Sequence, residues 1–256
     1  MEDPPVSGRA VRLSVVVPAF NEASRIRKTL EELLTHLHTV VASYEIRVVD
    51  DGSEDETPTI VESVARTHPE VVLQREPHCG KGSAVRAGLL AAVGDLRFMC
   101  DADLSMPISE LPRFLAMVPA RCDIAIGSRE GIGARRVGEP AHRHVMGRGF
   151  SALVRTMVLP GINDTQCGFK LFTSKAVEAV FPTTTIAGWA FDVEVLLIAR
   201  LQGLKVLELP IEWHHRERSK ISVLRDAGSM VRDLWKIRLN GIRGVYGDQS
   251  QSRHRT

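Results

Sequence analysis

Asp101 and Asp103 stand two residues apart, directly after the apolar run Leu96–Cys100. In extended backbone the side chains of residues i and i+2 point the same way. Two carboxylates held side by side repel each other unless a cation lies between them. A divalent ion that bridges a diphosphate takes oxygen ligands and keeps positions open for phosphate oxygens. An Asp-x-Asp pair alone is common in turns, so its place after a strand is what makes this one a candidate metal grip. Asp50-Asp51-Gly52-Ser53 poses a similar question. It reads as a turn, with Asp50 capping and Gly52 at positive φ, or as a site where Asp50 accepts hydrogen bonds from a base or ribose. The strand before it favours the second reading. Lys81 lies in Cys79-Gly80-Lys81-Gly82-Ser83, which lacks full P-loop spacing. The glycines open a helix near Ser83, or the lysine reaches a phosphate in a donor pocket.

Arginines have a specific use if an acceptor is anionic, because guanidinium forks grip phosphate oxygens in pairs. Between 129 and 148 the chain carries Arg129, Arg135, Arg136, Arg143 and Arg148 against Glu130 and Glu139. A solvated loop is the ordinary account of such a run; Arg129 and Arg143 are the candidates for acceptor binding. Arg148 and Arg155, seven apart, share one face of an otherwise mostly apolar helical segment. That segment is either ordinary amphipathic packing or a helix lying in a lipid interface with its basic side toward anionic headgroups. Asp192 and Glu194, two apart on a helix, look to different faces, so at most one meets a site. Trp189 and Phe191 read as packing residues, and His214 and His215 as surface histidines with no zinc spacing around them.

The elements that must position these groups alternate. Leu13–Val17, Ile46–Val49, Val71–Leu73, Leu96–Cys100 and Ile124–Ile126 have strand character; Glu22–Val41, Thr57–Arg66 and Ala84–Val93 have helical spacing. Strands separated by helices imply crossover connections and a mainly parallel sheet flanked by helices, an α/β fold. Ligands of such sheets bind beyond the carboxyl ends of the strands. Pro18–Glu22, Asp50–Ser53, Glu76–Gly82, Asp101–Asp103 and Gly127–Arg129 all follow strands, so polar and acidic groups gather at one edge. Further on, 145–159 is helical in length although Gly147 and Gly149 weaken it, and 161–172 reads as a turn and short strand. Trp189–Leu201 is a helix, Lys205–Trp213 a strand, and Ile221–Ile242 a final amphipathic helix rich in arginine.

The 256 residues, 44% apolar and 25% charged, suit a globular core, and a net charge of +2 is too small for a general nucleic-acid binder. The four cysteines are scattered, as reduced thiols of a cytoplasmic protein are. The opening MEDPPVSGRA is not a signal peptide, and no apolar run approaches the ~18 residues of a spanning helix. Contact with a membrane is therefore expected at its cytoplasmic surface or through a partner.

Val15-Val16-Val17-Pro18-Ala19-Phe20-Asn21-Glu22, Val48-Val49-Asp50-Asp51-Gly52-Ser53 and Asp101-Ala102-Asp103 resemble the inverting glycosyltransferases of family 2, which have the GT-A fold. Asp164-Thr165-Gln166-Cys167-Gly168-Phe169-Lys170-Leu171-Phe172-Thr173, Trp189-Ala190-Phe191-Asp192-Val193-Glu194, Trp213, Ser219-Lys220 and Asp233-Leu234 resemble, more narrowly, its dolichyl-phosphate β-glucosyltransferase branch. The resemblance runs from about Leu13 to Leu239. It implies one catalytic domain over 11–245, with a nucleotide-binding half (11–128), an acceptor half (129–245), a leader (1–10) and a tail (246–256). It also implies that Pro18, Ala19, Glu22, Asp50, Lys81 and Ala102 line the nucleotide pocket and that Asp101 and Asp103 bind Mg²⁺ or Mn²⁺ and the donor diphosphate. Arg129 and Arg143 would engage an acceptor phosphate, and Gln166 and Asp192 would line the sugar or acceptor side. The implied donor is UDP-glucose, with GDP-mannose the alternative, and the acceptor a polyprenyl phosphate or a soluble phosphorylated molecule. A nucleotide-binding regulatory module without catalysis is a further alternative, opposed by the intact Asp-x-Asp. Members of the resembled family carry membrane helices that this sequence lacks.

Overall fold

The computed structural model describes residues 12–215 and 223–247; the side chains of 141–143 and 223–227 lie outside the described residues. Nine strands and eight α-helices are described: β1 Leu13–Ala19, α1 Ile26–Val40, β2 Tyr44–Asp50, α2 Thr57–Ala65, β3 Val71–Arg75, α3 Lys81–Ala91, β4 Leu96–Cys100, α4 Leu111–Leu115, β5 Ile124–Ser128, β6 Arg135–Val137, α5 Ala141–Met157, β7 Phe169–Thr173, α6 Ser174–Val180, α7 Phe191–Leu201, β8 Val206–Pro210, β9 Glu212–His214 and α8 Val223–Ile242.

Seven strands form one sheet in the order β3-β2-β1-β4-β7-β5-β8. Side chains alternate across it, as the two-residue period of a strand requires. Leu13, Val15 and Val17 of β1 join Ile46 and Val48 of β2 and Leu96 and Phe98 of β4 on one face, against Ile26, Leu30, Leu33 and Leu37 of α1. On the other face Val16, Val49, Met99, Ile124 and Phe172 meet Val85 and Leu89 of α3, Val177 and Val180 of α6, Leu196 of α7, and Leu234 and Ile237 of α8. Burying such side chains contributes about 1.5–3 kcal/mol each, which is why strands covered on both sides read as continuous apolar runs.

The sheet is mainly parallel, as expected, with one antiparallel strand. β7 runs antiparallel to both β4 and β5 and sits between them, while β1–β2, β1–β4, β2–β3 and β5–β8 are parallel. The two expected halves are therefore interleaved, with β5 from the first lying between β7 and β8 from the second.

The expected strand Lys205–Trp213 is broken. β8 pairs with β5 as far as Ser128↔Pro210, and β9 then leaves to pair with β6 in a separate two-stranded sheet. Pro210 has no N–H with which to extend the ladder. Helix α1 starts at Ile26 rather than Glu22 because Asn21 adopts a left-handed backbone, φ 51°. Helix α6 was not expected; Thr173 Oγ1 caps it by accepting from Ala176 N at 3.0 Å.

The expected tail boundary at 246 falls one residue short. Tyr246 is fully buried, and its hydroxyl donates to Glu194 at 2.7 Å. The leader 1–10, residues 248–256 of the tail, and Ser219-Lys220 lie outside the described residues. Among the described residues no helix is long and apolar enough to cross a membrane.

Candidate active site

The loops after β1, β2, β3 and β4 meet beyond the strand ends, and each is fixed by the next. Asn21 Oδ1 accepts from the backbone N–H groups of Glu54 (2.8 Å) and Asp55 (3.3 Å), and Asn21 N donates to Ser53 Oγ. Glu22 N donates to Thr57 Oγ1 at 2.7 Å, and Glu22 pairs with Arg25. Pro18 and Ala19 lie opposite Val49 and Asp50 in register, and Ala19 O accepts from Asp51 N. The expected nucleotide-pocket residues Pro18, Ala19, Glu22 and Asp50 are thus brought to one edge.

The two neighbouring aspartates divide their work. Asp50 accepts long hydrogen bonds from Ser53 N, 3.3 and 3.4 Å. Asp51, buried, accepts from Cys79 N and Gly80 N and pairs with His78 Nδ1 at 2.9 Å. It clamps the turn that leads to Lys81. Gly52 has φ 72°, as its expected turn role requires, and a Cβ there would lie 2.9 Å from His78 N.

Lys81 opens α3, but the helix start is not a vacant phosphate cradle. Gly82 N and Ser83 N donate to Ala187 O at 2.7 and 3.4 Å. A Cβ on Gly82 would come within 2.6 Å of Ile186 O and Phe191. The glycines therefore let the 186–191 segment close on the helix, and the lysine side chain is the part that reaches the site. Lys81 Nζ lies 2.5 Å from Asp101 Oδ1, with the rings of Trp189 and Phe191 at 5.5 and 6.0 Å. Burial alone would lower its pKa, but Asp101, Asp192 and Asp103 together raise it, so Lys81 is a firm cation.

The alignment of Asp101 with Asp103 does not come from extended backbone. β4 ends at Cys100, residues 102–103 form a turn, and Leu104 has φ 42°. Ala102 O accepts from Thr29 Oγ1 at 2.6 Å, tying the turn to α1. Asp103 Oδ1 accepts from Ser105 N. Both carboxylates line one recess with Gly168, Cys167 and Trp213. Gly168 is required there, since a Cβ would lie 1.9 Å from Asp101 Oδ2.

A ladder of alternating charge continues inward. Lys170 Nζ donates to Asp192 Oδ1 at 2.6 Å and to Cys167 O at 2.5 Å, with lysine and aspartate both buried. Burial pushes the Asp192 carboxyl up, against the pull of Lys170 and Lys81. Asp192 and Glu194 diverge, as two residues two apart on a helix must. Glu194 turns away, accepting from Thr185 N, Ile186 N and Tyr246. Trp189 and Phe191 do more than pack, because they flank the Lys81 ammonium.

Arg129 is bound inside the protein. Its Nε and Nη2 donate to the two Asp164 oxygens at 2.7 and 2.8 Å, and its backbone N–H donates to the same carboxylate. Burial would lower its pKa and Asp164 more than restores it. Burial likewise would raise the Asp164 carboxyl, but Arg129 holds it down at about 2. The fork expected to grip an acceptor phosphate is thus directed at Asp164, and the guanidinium lies 5.6 Å from the Trp213 ring. The Arg143 side chain lies outside the described residues. Gln166 N donates to Asp164 Oδ1, and its buried Nε2 has no hydrogen-bond partner.

Lys170, Asp164, Asp51 and Asn21 were not singled out as site residues. A lysine inside the otherwise apolar strand Phe169–Thr173 is the signal the sequence offers for the first of these. The metal reading fits the recess through its donor set: the carboxylates of Asp101 and Asp103 line it together, and Asp101 Oδ1 is already paired with the Lys81 ammonium. Among the described residues no cluster of three or more metal-ligating side chains exists. Two carboxylates would thus hold an ion whose other ligands come from a phosphate-bearing partner.

Residues 14–181 match the family described as Glycosyl transferase family 2. A dolichyl-phosphate beta-glucosyltransferase of Trichomonas vaginalis is 37% identical over 225 residues, 83% of this chain and 67% of the relative. The Homo sapiens dolichyl-phosphate beta-glucosyltransferase is 32% identical over 250 residues, 92% of this chain and 77% of the relative. The fold is similar to crystal structures of glucosyl-3-phosphoglycerate synthase from Mycobacterium tuberculosis. The complex of that enzyme with Mn²⁺, UDP and glucosyl-3-phosphoglycerate has TM-score 0.62, with 18% identity over 90% of this chain and 80% of that one. The strand-end loops, the Asp-Ala-Asp turn and the mostly parallel sheet are those of a GT-A fold, and the chain belongs to glycosyltransferase family 2, in the branch of the dolichyl-phosphate β-glucosyltransferases.

Proposed function

We propose that the protein transfers glucose from UDP-glucose to a polyprenyl, dolichyl-type phosphate, with inversion at the anomeric carbon and a Mg²⁺ or Mn²⁺ ion at Asp101 and Asp103. The observation that carries this reading is the ladder Asp101–Lys81–Asp192–Lys170 at the strand ends, in a chain whose relatives bear that activity in their names.

A phosphate monoester has its second pKa near ~6, so at neutral pH the acceptor is mostly a dianion and needs no base. One of its oxygens attacks the anomeric carbon. The bond from that carbon to the nucleoside diphosphate breaks, and its electron pair leaves with the diphosphate. Asp192, held by Lys170, orients the sugar rather than removing a proton. Lys81 brings a fixed positive charge toward the departing diphosphate, which strengthens as the bond breaks. When bound at Asp101 and Asp103, the divalent ion would supply Lewis-acid charge to the same leaving group.

The test is incubation with labelled UDP-glucose or GDP-mannose, Mn²⁺ and dolichyl phosphate. Label entering the organic phase from UDP-glucose alone, with a β anomeric proton by NMR, is expected. Mannose transfer, an α product, or no lipid product overturns the reading.

A further inference from the structure

Helix α8 carries two apolar faces, and among the described residues only one is packed inside the protein. Leu234 and Ile237 are fully buried against the second core cluster. A Cβ on Gly241 would lie 3.3 Å from Leu197 of α7, and Asn240 Nδ2 donates to Tyr246 Oη. The other face is bare: Val231 is 38% exposed, Trp235 54%, Leu239 42% and Ile242 73%, with Val245 at 49% just beyond the helix end.

At about 100° per residue the four helical positions fall within an arc of about 80°. Arg232, Lys236 and Arg243 follow along one edge of that arc, all exposed. Arg238 borders the other edge, where its Nη1 donates to Met157 O at the end of α5. Asp233 lies on the far flank, toward Gly188. The bare apolar stripe is therefore bordered by positive charge on both sides.

The sequence offers a lipid-interface reading elsewhere, on 145–158, beside that of ordinary amphipathic packing. There Val154 and Leu159 are buried and Phe150, Leu153 and Val158 pack against the core, leaving Val145 and Met146 as its exposed large apolar residues. That segment spends most of its apolar residues inside, so α8 is the surface left to account for.

We propose that this stripe of α8 docks the protein on a bilayer containing anionic lipid, with Trp235, Leu239 and Ile242 entering the headgroup region and Arg232, Lys236 and Arg243 meeting the phosphates. Charge complementarity selects this occupant. An apolar stripe alone fits a second protein as well, whereas an apolar stripe with a basic row on one edge and Arg238 on the other matches an anionic interface. A second copy of the chain would set one basic row against another. The inference rests on the lipid-borne acceptor reading for its purpose, and its test does not depend on that reading.

The experiment is flotation of the full chain with vesicles free of polyprenyl phosphate, made of phosphatidylcholine alone or with phosphatidylglycerol. Binding to the anionic vesicles should exceed binding to neutral ones at least tenfold and weaken as NaCl rises from about 0.1 to 0.5 M. Trp235→Glu/Leu239→Glu and, separately, Arg232→Glu/Lys236→Glu should each lower the bound fraction at least tenfold. Both should leave transfer to a short-chain, water-soluble polyprenyl phosphate unchanged. If the first variant loses melting temperature, the second, confined to exposed charges, decides. Unchanged binding by the charge variant, equal binding to both vesicles, or a dimer in light scattering that Trp235→Glu/Leu239→Glu converts to monomer overturns the proposal. Loss of transfer by the wild-type protein itself would instead count against the proposed reaction and leave the docking result standing.

Discussion

At the residue scale the site depends on charges that are buried together and satisfy one another. Lys170 is fully buried against Asp192, and removing one partner of such a pair leaves an uncompensated charge, at a cost of about 3–5 kcal/mol. Lys170→Met should therefore lower the melting temperature and reduce turnover at least tenfold, measured at saturating donor. Adding Asp192→Asn to it should recover stability but not turnover. Asp164 makes a second case. Its carboxyl is held at about 2, against 3.8 for the free group, chiefly by Arg129 working against burial. A depressed acid stabilises the fold above the unfolded value and loses that contribution as pH falls through the folded one. Stability should thus drop between about pH 4 and 2, and Asp164→Asn should flatten that drop in denaturant titrations at each pH. Asp50, Asp101 and Asp103 could be singled out from the sequence because Asp50 closes an apolar strand and the other two directly follow one. The partner of Arg129 could not, because 129 and 164 are joined only through the packing of the 161–168 turn beside β5.

At the scale of elements, small residues set how closely the loops approach. Gly168 leaves space for the Asp101 carboxylate, since a Cβ would lie 1.9 Å from it. Gly168→Ala should displace Asp101 and lower turnover by about two orders of magnitude, the size of losing one fixed electrostatic contact, while the far-ultraviolet dichroism spectrum is unchanged. Gly88 serves packing instead. Its Cβ would meet Val16 and Val49 at 2.5 and 2.6 Å, where α3 crosses β1 and β2. Gly88→Ala should cost about 1–3 kcal/mol by overpacking, read from chemical denaturation. The parallel first half was legible because each strand and helix there follows its own period. The insertion of β7 between β4 and β5 was not, since a five-residue apolar strand does not announce its direction. Helix α6 escaped notice for its seven-residue length, too short for a helical period to show.

For the molecule as a whole, one sheet threads both halves of the chain, so the two halves share a core rather than meeting at a domain boundary. The C-terminal segment completes that core through Tyr246, which binds Glu194 and so steadies the 185–186 loop next to the Lys81 turn. Tyr246→Phe leaves the buried Glu194 with one partner fewer and should cost about 1–3 kcal/mol, measured by thermal unfolding. The same arrangement puts α8 on the surface with its bare stripe outward. The amphipathic character of α8 was visible in the sequence, but which of its apolar residues are left outside depends on the docking of α7 and the 185–188 loop. The central claim is that Asp101 and its strand-end neighbours hold a glucose donor for transfer to a lipid phosphate. The most direct measurement is organic-phase label from UDP-[¹⁴C]glucose and dolichyl phosphate with Mn²⁺, for the wild-type protein and Asp101→Asn side by side. Transfer by the wild type and a loss of at least a hundredfold in a variant of unchanged melting temperature is the predicted result. Equal transfer by the two proteins would contradict the account.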